Sequence, residues 1–401
     1  MAKILVAMSG GVDSSVAAAL LKEQGHEVAG ATMRTWASNS CENLNTKACC
    51  GITGVEDARE VADTLGIKYW VLNFEEEFKK YVIDYFAAEY LKGRTPNPCI
   101  ACNEHIKFRL FLKRAQEMGF DSIATGHYAE VFKADNGLFA LREGKDAVKD
   151  QTYVLFPLDQ DVLSKLYLPC GKYSKAEIRD LAKKHHLNCV AGKAESMEIC
   201  FIPDNDYGGF VEKEFSPRET VPSLSIPGTV KLKNGTVLGK HDGYFHFTHG
   251  QRRGINIAYK EKLYVLDIKP ETNEVIVGTK EDVLGQKFIV ERVNWHAAPP
   301  SETFEAHVKI RSQHADSLAS APPAQPAYSI GHTFTALVKI RSQHKKAPAI
   351  ITVIDKNKIE VCFLNKQEAI TPGQGAVLYD GSVVLAGGWI ASPQTAPGKS
   401  V

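Results

Sequence analysis

Hydrophobic and polar positions follow one pattern in the first half of the chain and another after residue 206. In the first half, short apolar runs such as Ile4–Ala7 are followed by segments with apolar residues at helical spacing, such as Ser14–Gln24. Alternation of this kind is typical of a parallel sheet that is covered by helices on both faces. We therefore predict an α/β domain with a Rossmann-like parallel sheet over residues 1–205. The same pattern predicts further strands near Val28, over Lys68–Leu72 and over Asp121–Thr125, and further helices over Glu56–Leu65, Glu75–Lys92 and His105–Met118.

After residue 206 the apolar residues alternate over short stretches that are separated by glycine and proline. This pattern predicts two small β-rich domains, over residues 206–285 and 286–401, with little helix. Asn234-Gly235 lies between two such stretches. The dipeptide favours a two-residue hairpin loop of type I′, in which both residues have a positive φ.

One segment of the last domain occurs twice. Phe304–His314 and Phe334–His344 share the sequence Val-Lys-Ile-Arg-Ser-Gln-His, at an offset of 30 residues. Two copies are too few for a solenoid, which needs about three stacked repeats, so we interpret them as a local duplication. Apolar and polar residues alternate in both copies, as is typical of a strand. We expect only one of the copies to fill a strand position of the fold. We prefer the second copy, because it leads directly into the apolar run Ala349–Val353.

The composition excludes several classes of protein. Of the 401 residues, 44% are hydrophobic and 24% are charged, which indicates a globular protein rather than a disordered or fibrous one. No apolar run approaches the roughly 20 residues that span a bilayer, and Met1–Lys3 leads straight into the first strand pattern, so we expect a cytoplasmic protein without a membrane partner. The nine cysteines are then expected as thiols or metal ligands. The net charge of +1 excludes a uniformly basic nucleic-acid-binding surface but not a local basic face.

The loop Ser9-Gly-Gly-Val-Asp-Ser-Ser15 connects the first predicted strand to the first predicted helix. At this place unpaired N–H groups and the helix dipole favour an anion, and glycines let the backbone approach a phosphate closely. A Walker A loop would end in Gly-Lys-Ser/Thr, and this loop contains no lysine. A capped turn without a ligand is the alternative, but the complete heptapeptide after an N-terminal strand favours phosphate binding.

Three cysteines are candidates for chemistry. Cys99 and Cys102 follow a proline-rich turn and stand directly before a helix pattern, where the helix dipole stabilises a thiolate. Cys200 lies in an apolar run. From spacing alone, the pair Cys99 and Cys102 is as compatible with half of a zinc site as with reactive thiols, and a lone cysteine in an apolar run is usually buried.

Together these segments closely resemble the bacterial tRNA-specific 2-thiouridylase family, whose members belong to the PP-loop ATPases. The motifs that carry the resemblance extend over nearly the whole chain: Ser9–Ser15, Gly93–Asn103, Ala124–Tyr128, Lys149–Tyr153, Gly171–Lys175, Ile199–Ile202, Thr248–Gly254 and Thr371–Gln374. The resemblance implies a PP-loop ATPase domain, a small central domain that contacts tRNA, and a C-terminal β-barrel.

Residue by residue, the resemblance implies three groups of functional positions. ATP binding is implied for Ala7, Met8, Ser9, Gly10, Gly11, Val12, Asp13, Ser14, Met33 and Gly126. Contacts with tRNA are implied for Asn97, Pro98, Cys99, His127, Lys149, Asp150, Gln151, Arg341, Ser342 and Gln374, with Arg311-Ser312 as the alternative to Arg341-Ser342. Cys102 is implied as the nucleophile and Cys200 as the carrier of a persulfide, and the two form a transient disulfide.

The implied reaction replaces the C2 oxygen of the wobble uridine, in the anticodon loop of tRNA, with sulfur. ATP with Mg²⁺ adenylates that oxygen, and the persulfide on Cys200 receives its sulfur from a cysteine desulfurase or a sulfur-carrier protein. No metal site made of protein ligands is expected. Two alternatives stay open: an iron–sulfur cluster held by Cys99, Cys102 and Cys200, and a tRNA-binding protein without catalytic activity.

Overall fold

A computed structural model of the chain describes residues 1–35, 52–134, 137–193, 199–202, 206–215, 227–297 and 330–392. Its α-helices are α1 (Val12–Glu23), α2 (Ile52–Leu65), α3 (Glu75–Phe78), α4 (Asp84–Leu91), α5 (Pro98–Ala101), α6 (Phe111–Glu117), α7 (Gln160–Leu163), α8 (Lys175–Lys184), α9 (Asn188–Ala191) and α10 (Tyr207–Phe215). Its strands are β1 (Lys3–Ala7), β2 (Glu27–Arg34), β3 (Lys68–Asn73), β4 (Ser122–Ala124), β5 (Ala129–Lys133), β6 (Phe139–Glu143), β7 (Leu166–Tyr167), β8 (Gly228–Leu232), β9 (Val237–His241), β10 (Tyr264–Lys269), β11 (Glu274–Gly278), β12 (Leu284–Trp295), β13 (Thr333–Lys339), β14 (Ala347–Asp355), β15 (Lys358–Glu368), β16 (Gly375–Asp380) and β17 (Val383–Ile390). No helix within the described ranges combines the length and the apolar character that a membrane span requires.

Five parallel strands form the first sheet, in the order β3-β2-β1-β4-β7. Successive residues of a strand face opposite sides of the sheet, and β1 therefore contributes to two cores. Leu5 and Ala7 belong to the core under α3, α4 and α6, whereas Ile4 and Val6 belong to the core under α1, α2 and α8. The predicted Rossmann-like α/β domain is confirmed.

The helix that carries Cys102 begins earlier than the sequence predicts. Residues Cys102–Leu110 are π-helical and continuous with α5 and α6, so the helix starts at Pro98 rather than at His105. The start is marked by proline in the first turn and by Asn97, whose side chain accepts an N–H bond from that turn at 3.2 Å. The prediction followed the apolar spacing, which a π-helical turn interrupts.

Four strands form a second sheet, in the order β10-β11-β8-β9. The predicted hairpin is present between β8 and β9, but its loop is not of type I′. Gly235 has a φ of +90° and Asn234 has no positive φ, and the Gly235 N–H bonds to the carbonyl of Leu232. This is a three-residue loop, in which a type I turn precedes a glycine in the left-handed region. The prediction of a two-residue loop is wrong because the Asn-Gly dipeptide is compatible with both the two-residue and the three-residue loop.

One α-helix, α10, is described after residue 206, where the sequence predicts little helix. Tyr207 and Phe210 of α10 pack edge-on against Phe86 of α4, with ring centroids 6.3 and 6.1 Å apart. An isolated helix of this length is marginal in water, so packing on the first domain stabilises it. Such a contact is not visible in the local sequence pattern.

The third sheet contains a closed barrel of six strands, which confirms the β-barrel expectation. The order is β12-β15-β14-β13-β16-β17, and β17 pairs back with β12. The β5–β6 hairpin of the first domain joins this sheet through the pairing of Arg142 with Val383 of β17. The second copy of the duplicated segment contributes β13, and the first copy lies outside the described residues.

Candidate active site

The residues expected to bind ATP lie at the carboxyl ends of neighbouring strands in the first sheet. The pairing of β1 ends at Ala7 with Ala31 of β2 and at Val6 with Ala124 of β4, so Met33 and Gly126 each come two residues after the last paired residue of their segment. Ligands of open parallel sheets bind at this edge, where loops leave the strands. The strand registers therefore bring the separated sequence positions to one place.

The predicted phosphate loop turns sharply from β1 into α1. The hydroxyls of Ser14 and Ser15 both donate to the carbonyl of Gly11, at 3.1 and 2.9 Å. Gly10 has a φ of +71°, and a Cβ at this position would collide with the carbonyl oxygen of Gly54 in α2. Both the backbone conformation and this close approach therefore require glycine.

Asp13, at the start of α1, is held by two residues for which the sequence analysis predicts no role. The Lys175 Nζ contacts both carboxylate oxygens at 2.8 Å, and the Tyr128 hydroxyl donates to one of them at 2.6 Å. The Lys175 side chain is only 12% exposed. On the other side, a Cβ on Gly126 would lie 2.6 Å from the backbone of Asp13. The loop therefore rests on a charge-paired carboxylate and a close backbone contact.

Cys99 and Cys102 occupy successive turns of the helix that begins at Pro98. Cys99 is exposed in the first turn, whereas Cys102 is buried where the π-helical segment begins. The effect of a helix dipole falls off within the first turn, so it acts on Cys99 more than on Cys102. The dipole is thus a weaker source of activation for Cys102 than the sequence suggests.

Cys200 is exposed beside a buried aromatic anchor. The ring of Phe201 packs edge-on against Phe78 and Phe86, with centroids 5.8 and 5.5 Å away. The helices that carry Phe78 and Phe86 pack in the same hydrophobic core as Cys102. The structure therefore places the Cys200 segment on the core that contains Cys102.

The loop before Cys99 is held by the barrel. The Gln374 Nε2 donates to the carbonyls of Thr95 and Pro96 at 3.0 and 3.1 Å, and its Oε1 lies 3.4 Å from the Asn97 Nδ2. The family resemblance implies a tRNA contact for Gln374. Its amide positions the loop that is expected to meet the uracil, and a direct contact with RNA stays a prediction.

Asp150 faces the barrel rather than solvent. Its side chain is 2% exposed, accepts from the Thr152 hydroxyl at 2.7 Å and lies 3.9 Å from the Lys339 Nζ of β13. Burial raises the pKa of this carboxyl. The neighbouring Gln151 accepts a backbone N–H bond from Tyr128 at 2.9 Å. Two of the predicted tRNA contacts are therefore engaged within the protein.

The remaining predicted tRNA contacts differ in charge. His127 hydrogen-bonds the Thr125 hydroxyl at 2.7 Å, and burial lowers its pKa to about 3, so the ring is neutral near pH 7. Lys149 is half-exposed, Ser342 is exposed, and Arg341 donates to the carbonyl of Glu368 at 2.9 Å. A neutral imidazole offers hydrogen bonding or stacking, so we expect Lys149 and Arg341 to supply the charge for phosphates.

Sequence reasoning missed residues that join the domains. Besides Lys339, these include Tyr153, whose hydroxyl donates to the carbonyl of Gly375 at 3.0 Å, and the buried His249, whose Nε2 lies 3.0 Å from the carbonyl of Gly93; Lys175, which was also missed, holds Asp13 within the first domain. Lys175, Tyr153 and His249 stand in motifs of the family pattern, which is the one signal that could have found them. Their partners lie more than 100 residues away in the chain, so the pairing itself has no local signature.

The described residues show how the cysteines relate to metal binding. Within those ranges, no group of three or more His, Cys, Asp and Glu side chains is arranged to hold a metal ion. Cys170 is buried against α1, where its thiol donates to the carbonyl of Asp13 at 3.3 Å and burial raises its pKa.

Comparison with known proteins identifies the family. Three family models match successive parts of the chain: a tRNA methyl transferase HUP domain over residues 2–204, a tRNA methyl transferase PRC-barrel domain over 219–279 and an aminomethyltransferase beta-barrel domain over 318–390. The tRNA-specific 2-thiouridylase MnmA of Carboxydothermus hydrogenoformans is 47% identical over 393 residues, which cover 97% of each chain. This chain belongs to the tRNA-specific 2-thiouridylase family. Its counterpart in Geobacter metallireducens is 43% identical over 396 residues, 98% of each chain.

Among solved structures, a 4-thiouridine synthetase in complex with RNA and ATP is similar to this 2-thiouridylase-family chain. The aligned region covers 51% of this chain and 46% of the synthetase chain. The TM-score is 0.34 and the sequence identity is 18%. The matched barrel domain begins at residue 318, so it includes the second copy of the duplicated segment and excludes the first. The domain limits 1–205, 206–285 and 286–401 stay predictions. In the structure, β12 of the barrel starts at Leu284, close to the predicted limit at 285/286.

Proposed function

We propose that this chain catalyses the ATP-dependent 2-thiolation of the wobble uridine in tRNA. The observation that carries the proposal is its similarity, over 97% of its length, to a protein named tRNA-specific 2-thiouridylase. The fold supports it, because a glycine-rich loop at the sheet edge and the two candidate cysteines belong to the same matched domain. Adenylation and sulfur transfer can then act on one bound uridine.

The sheet edge suits the phosphates of ATP as substrate, together with its Mg²⁺. The N-terminus of α1 provides backbone N–H donors and a favourable dipole for an anion, and the Ser14 and Ser15 hydroxyls can exchange their bonds to the Gly11 carbonyl for bonds to a phosphate. The charge of Asp13 is neutralised by Lys175, so the carboxylate repels an incoming phosphate less. Transfer of AMP to the C2 oxygen releases pyrophosphate and converts a poor leaving group into a good one.

The cysteines supply and release the sulfur. Because Cys200 is exposed, a donor protein such as a cysteine desulfurase or a sulfur carrier can load it with a persulfide. The terminal sulfur attacks C2 of the adenylated uridine, and AMP leaves with the electrons of the C2–O bond. The Cys102 thiolate then attacks the Cys200 sulfur, which breaks the bond to the uridine sulfur and leaves 2-thiouridine and a Cys102–Cys200 disulfide. A thiol reductant restores both cysteines with two electrons.

The target base has to leave its stack to reach this site. An anticodon loop is single-stranded, so its bases are turned outward at lower cost than bases in a duplex. The loop at Asn97–Cys99 is fixed by Gln374 of the barrel, which allows one rigid segment to receive the uracil. Lys149 and Arg341 provide local positive charge for the RNA backbone although the net charge of the chain is only +1.

Cysteine variants test the assignment of roles. We expect Cys200→Ser to form no 2-thiouridine, because no persulfide is loaded. Cys102→Ser should transfer sulfur to the uridine but accumulate a protein–tRNA adduct that a thiol reductant cleaves. Nucleoside mass spectrometry and denaturing gels measure both results. Full thiolation by Cys200→Ser would refute the persulfide role.

Cys99→Ala distinguishes the persulfide route from a cluster. A persulfide route keeps thiolation in this variant, and protein purified without oxygen then contains no stoichiometric iron or sulfide. Stoichiometric iron in the wild type together with inactive Cys99→Ala would instead establish the three-cysteine cluster.

A further inference from the structure

Lys193 lies beside the predicted phosphate loop and has no role in the mechanism described so far. Its Nζ donates to the carbonyl of Gly10, the second residue of the loop, at 3.2 Å. The same ammonium forms an ion pair with the carboxylate of Asp57 in α2. One cation therefore connects the loop to the helix that packs next to it.

The backbone of Lys193 is fixed by the helix before it. Val190 and Leu187 are fully buried in the core that also contains Val12 and Val16 of α1. The Lys193 N–H bonds to the carbonyl of Val190 at 3.1 Å, which ends α9 next to the loop. The side chain is still 36% exposed, so its ammonium can meet a ligand from solvent.

The two lysines near the loop differ in how they are engaged. Lys175 is 12% exposed and contacts both oxygens of Asp13, so it is committed to the base of the loop. Lys193 contacts one carboxylate and one neutral carbonyl, and the carbonyl bond can be exchanged for a stronger bond to a phosphate oxygen. Partial burial lowers the pKa of Lys193, which an anionic ligand would offset.

We propose that Lys193 binds the phosphate chain of ATP and supplies the cation that this loop lacks in its own sequence. Asp57 holds the ammonium at the edge of the site before the nucleotide arrives. The inference rests on the proposed function, because it takes ATP as the ligand of the loop. It predicts a contribution that depends on the phosphates and not on the adenosine.

Calorimetric titration of the full-length protein with ATP and with adenosine tests the inference. Lys193→Gln should weaken ATP binding about tenfold or more, since a charge-assisted bond to a phosphate is lost. The same variant should bind adenosine as the wild type does. Lys193→Arg, which keeps the charge, should recover most of the ATP affinity. Equal weakening of ATP and adenosine would show a structural role and overturn the proposal.

Asp57→Asn separates phosphate binding from a structural clamp between α2 and α9. If the ammonium binds the phosphates, Asp57→Asn loses only the prior positioning of Lys193, so it should weaken ATP binding less than Lys193→Gln does. If the ion pair only clamps the helices, Asp57→Asn should weaken ATP binding as much as Lys193→Gln, which would refute the inference. Lys184→Gln is the matched control, because Lys184 pairs with Glu23 at an exposed surface position, and its ATP affinity should stay at the wild-type value.

The proposed function and the inference fail in different ways. A wild-type protein that does not bind ATP contradicts the proposed function. A wild-type protein that binds ATP with the same affinity as Lys193→Gln contradicts only the role of Lys193.

Discussion

Single residues decide how the phosphate loop is held at the sheet edge. Gly10 combines a left-handed backbone with a close approach to α2, and Asp13 is paired with Lys175 and Tyr128. The glycine-rich loop and its chemistry are readable in the sequence, because adjacent residues form it. The role of Lys175 is not readable in the sequence, because its partner Asp13 is 162 residues away. At this scale local chemistry is predictable and long-range pairing is not.

Gly10→Ala tests the close approach to α2. Gly119 also has a positive φ, +83°, but a Cβ there meets nothing within 4 Å, so Gly119→Ala is a matched control. We expect the control to lose about 1–2 kcal/mol of unfolding free energy from backbone strain alone. Gly10→Ala should lose more and bind ATP at least about tenfold more weakly, because the loop or α2 must move. Urea unfolding and calorimetry measure both effects, and equal results for the two variants would contradict this account.

His296 makes the stability depend on pH. The residue is 1% exposed, its Nε2 lies 2.7 Å from the carbonyl of Phe156, and burial lowers its pKa from 6.5 to about 4. Between these values the unfolded chain binds the proton and the folded chain does not. The contribution of His296 to stability is therefore complete above pH 6.5 and is lost as the pH falls towards 4.

His296→Gln keeps a donor for the Phe156 carbonyl but does not titrate. Between pH 6 and 4.5, the unfolding free energy of the wild type should fall by about 1.4 kcal/mol per pH unit more than that of this variant. Above pH 7 the difference between the two proteins should be constant. Urea unfolding over a pH series measures it, and parallel curves throughout would contradict the buried neutral ring.

At the scale of elements, the apolar spacing predicts most strands and helices of the first domain. It fails where a tertiary contact or an unusual backbone decides the structure. The π-helical turns at Cys102–Leu110 break the helical spacing, and α10 depends on packing against Phe86. The hairpin at Gly235 is predicted, but the dipeptide does not determine the loop type.

The duplicated segment allows a matched pair of deletions. Removal of residues 304–333 keeps the second copy, and removal of 315–344 keeps the first. The two products differ only by Glu in place of Thr335 and His in place of Leu337. Thr335 is exposed and Leu337 is half-buried in β13. We expect both products to fold and to retain thiolation. The product that keeps the first copy should be about 1–2 kcal/mol less stable, because it has histidine in place of Leu337 and loses the packing of the leucine. Melting temperatures and activity check this, and two insoluble products would show that the fold uses both copies.

At the scale of the whole molecule, the barrel and the first domain form a shared structure around the candidate site. Gln374 holds the loop before Cys99, Tyr153 bonds to the barrel backbone, and Asp150 faces Lys339. Domain classes are predictable from the change of pattern near residue 206. The contacts between the domains are not predictable, because each residue that makes them looks like an ordinary polar residue in its own segment.

Asp150→Asn distinguishes an interface role from a tRNA contact. Removal of the charge leaves Lys339, which is 11% exposed, without its facing carboxylate, so we expect about 1–3 kcal/mol less unfolding free energy in the absence of RNA. Lys339→Met in the same chain should restore part of the loss. The affinity for tRNA should change less than twofold, as filter binding measures. Unchanged stability with weakened tRNA binding would instead support a direct RNA contact.

The most direct test of the account is mass spectrometry of tRNA nucleosides after incubation of this protein with unmodified tRNA, ATP, cysteine and a cysteine desulfurase. The account predicts 2-thiouridine at the wobble position, no product when ATP is omitted, and no product with Cys200→Ser. Absence of 2-thiouridine in the complete reaction, with the protein folded and the desulfurase active, would contradict it.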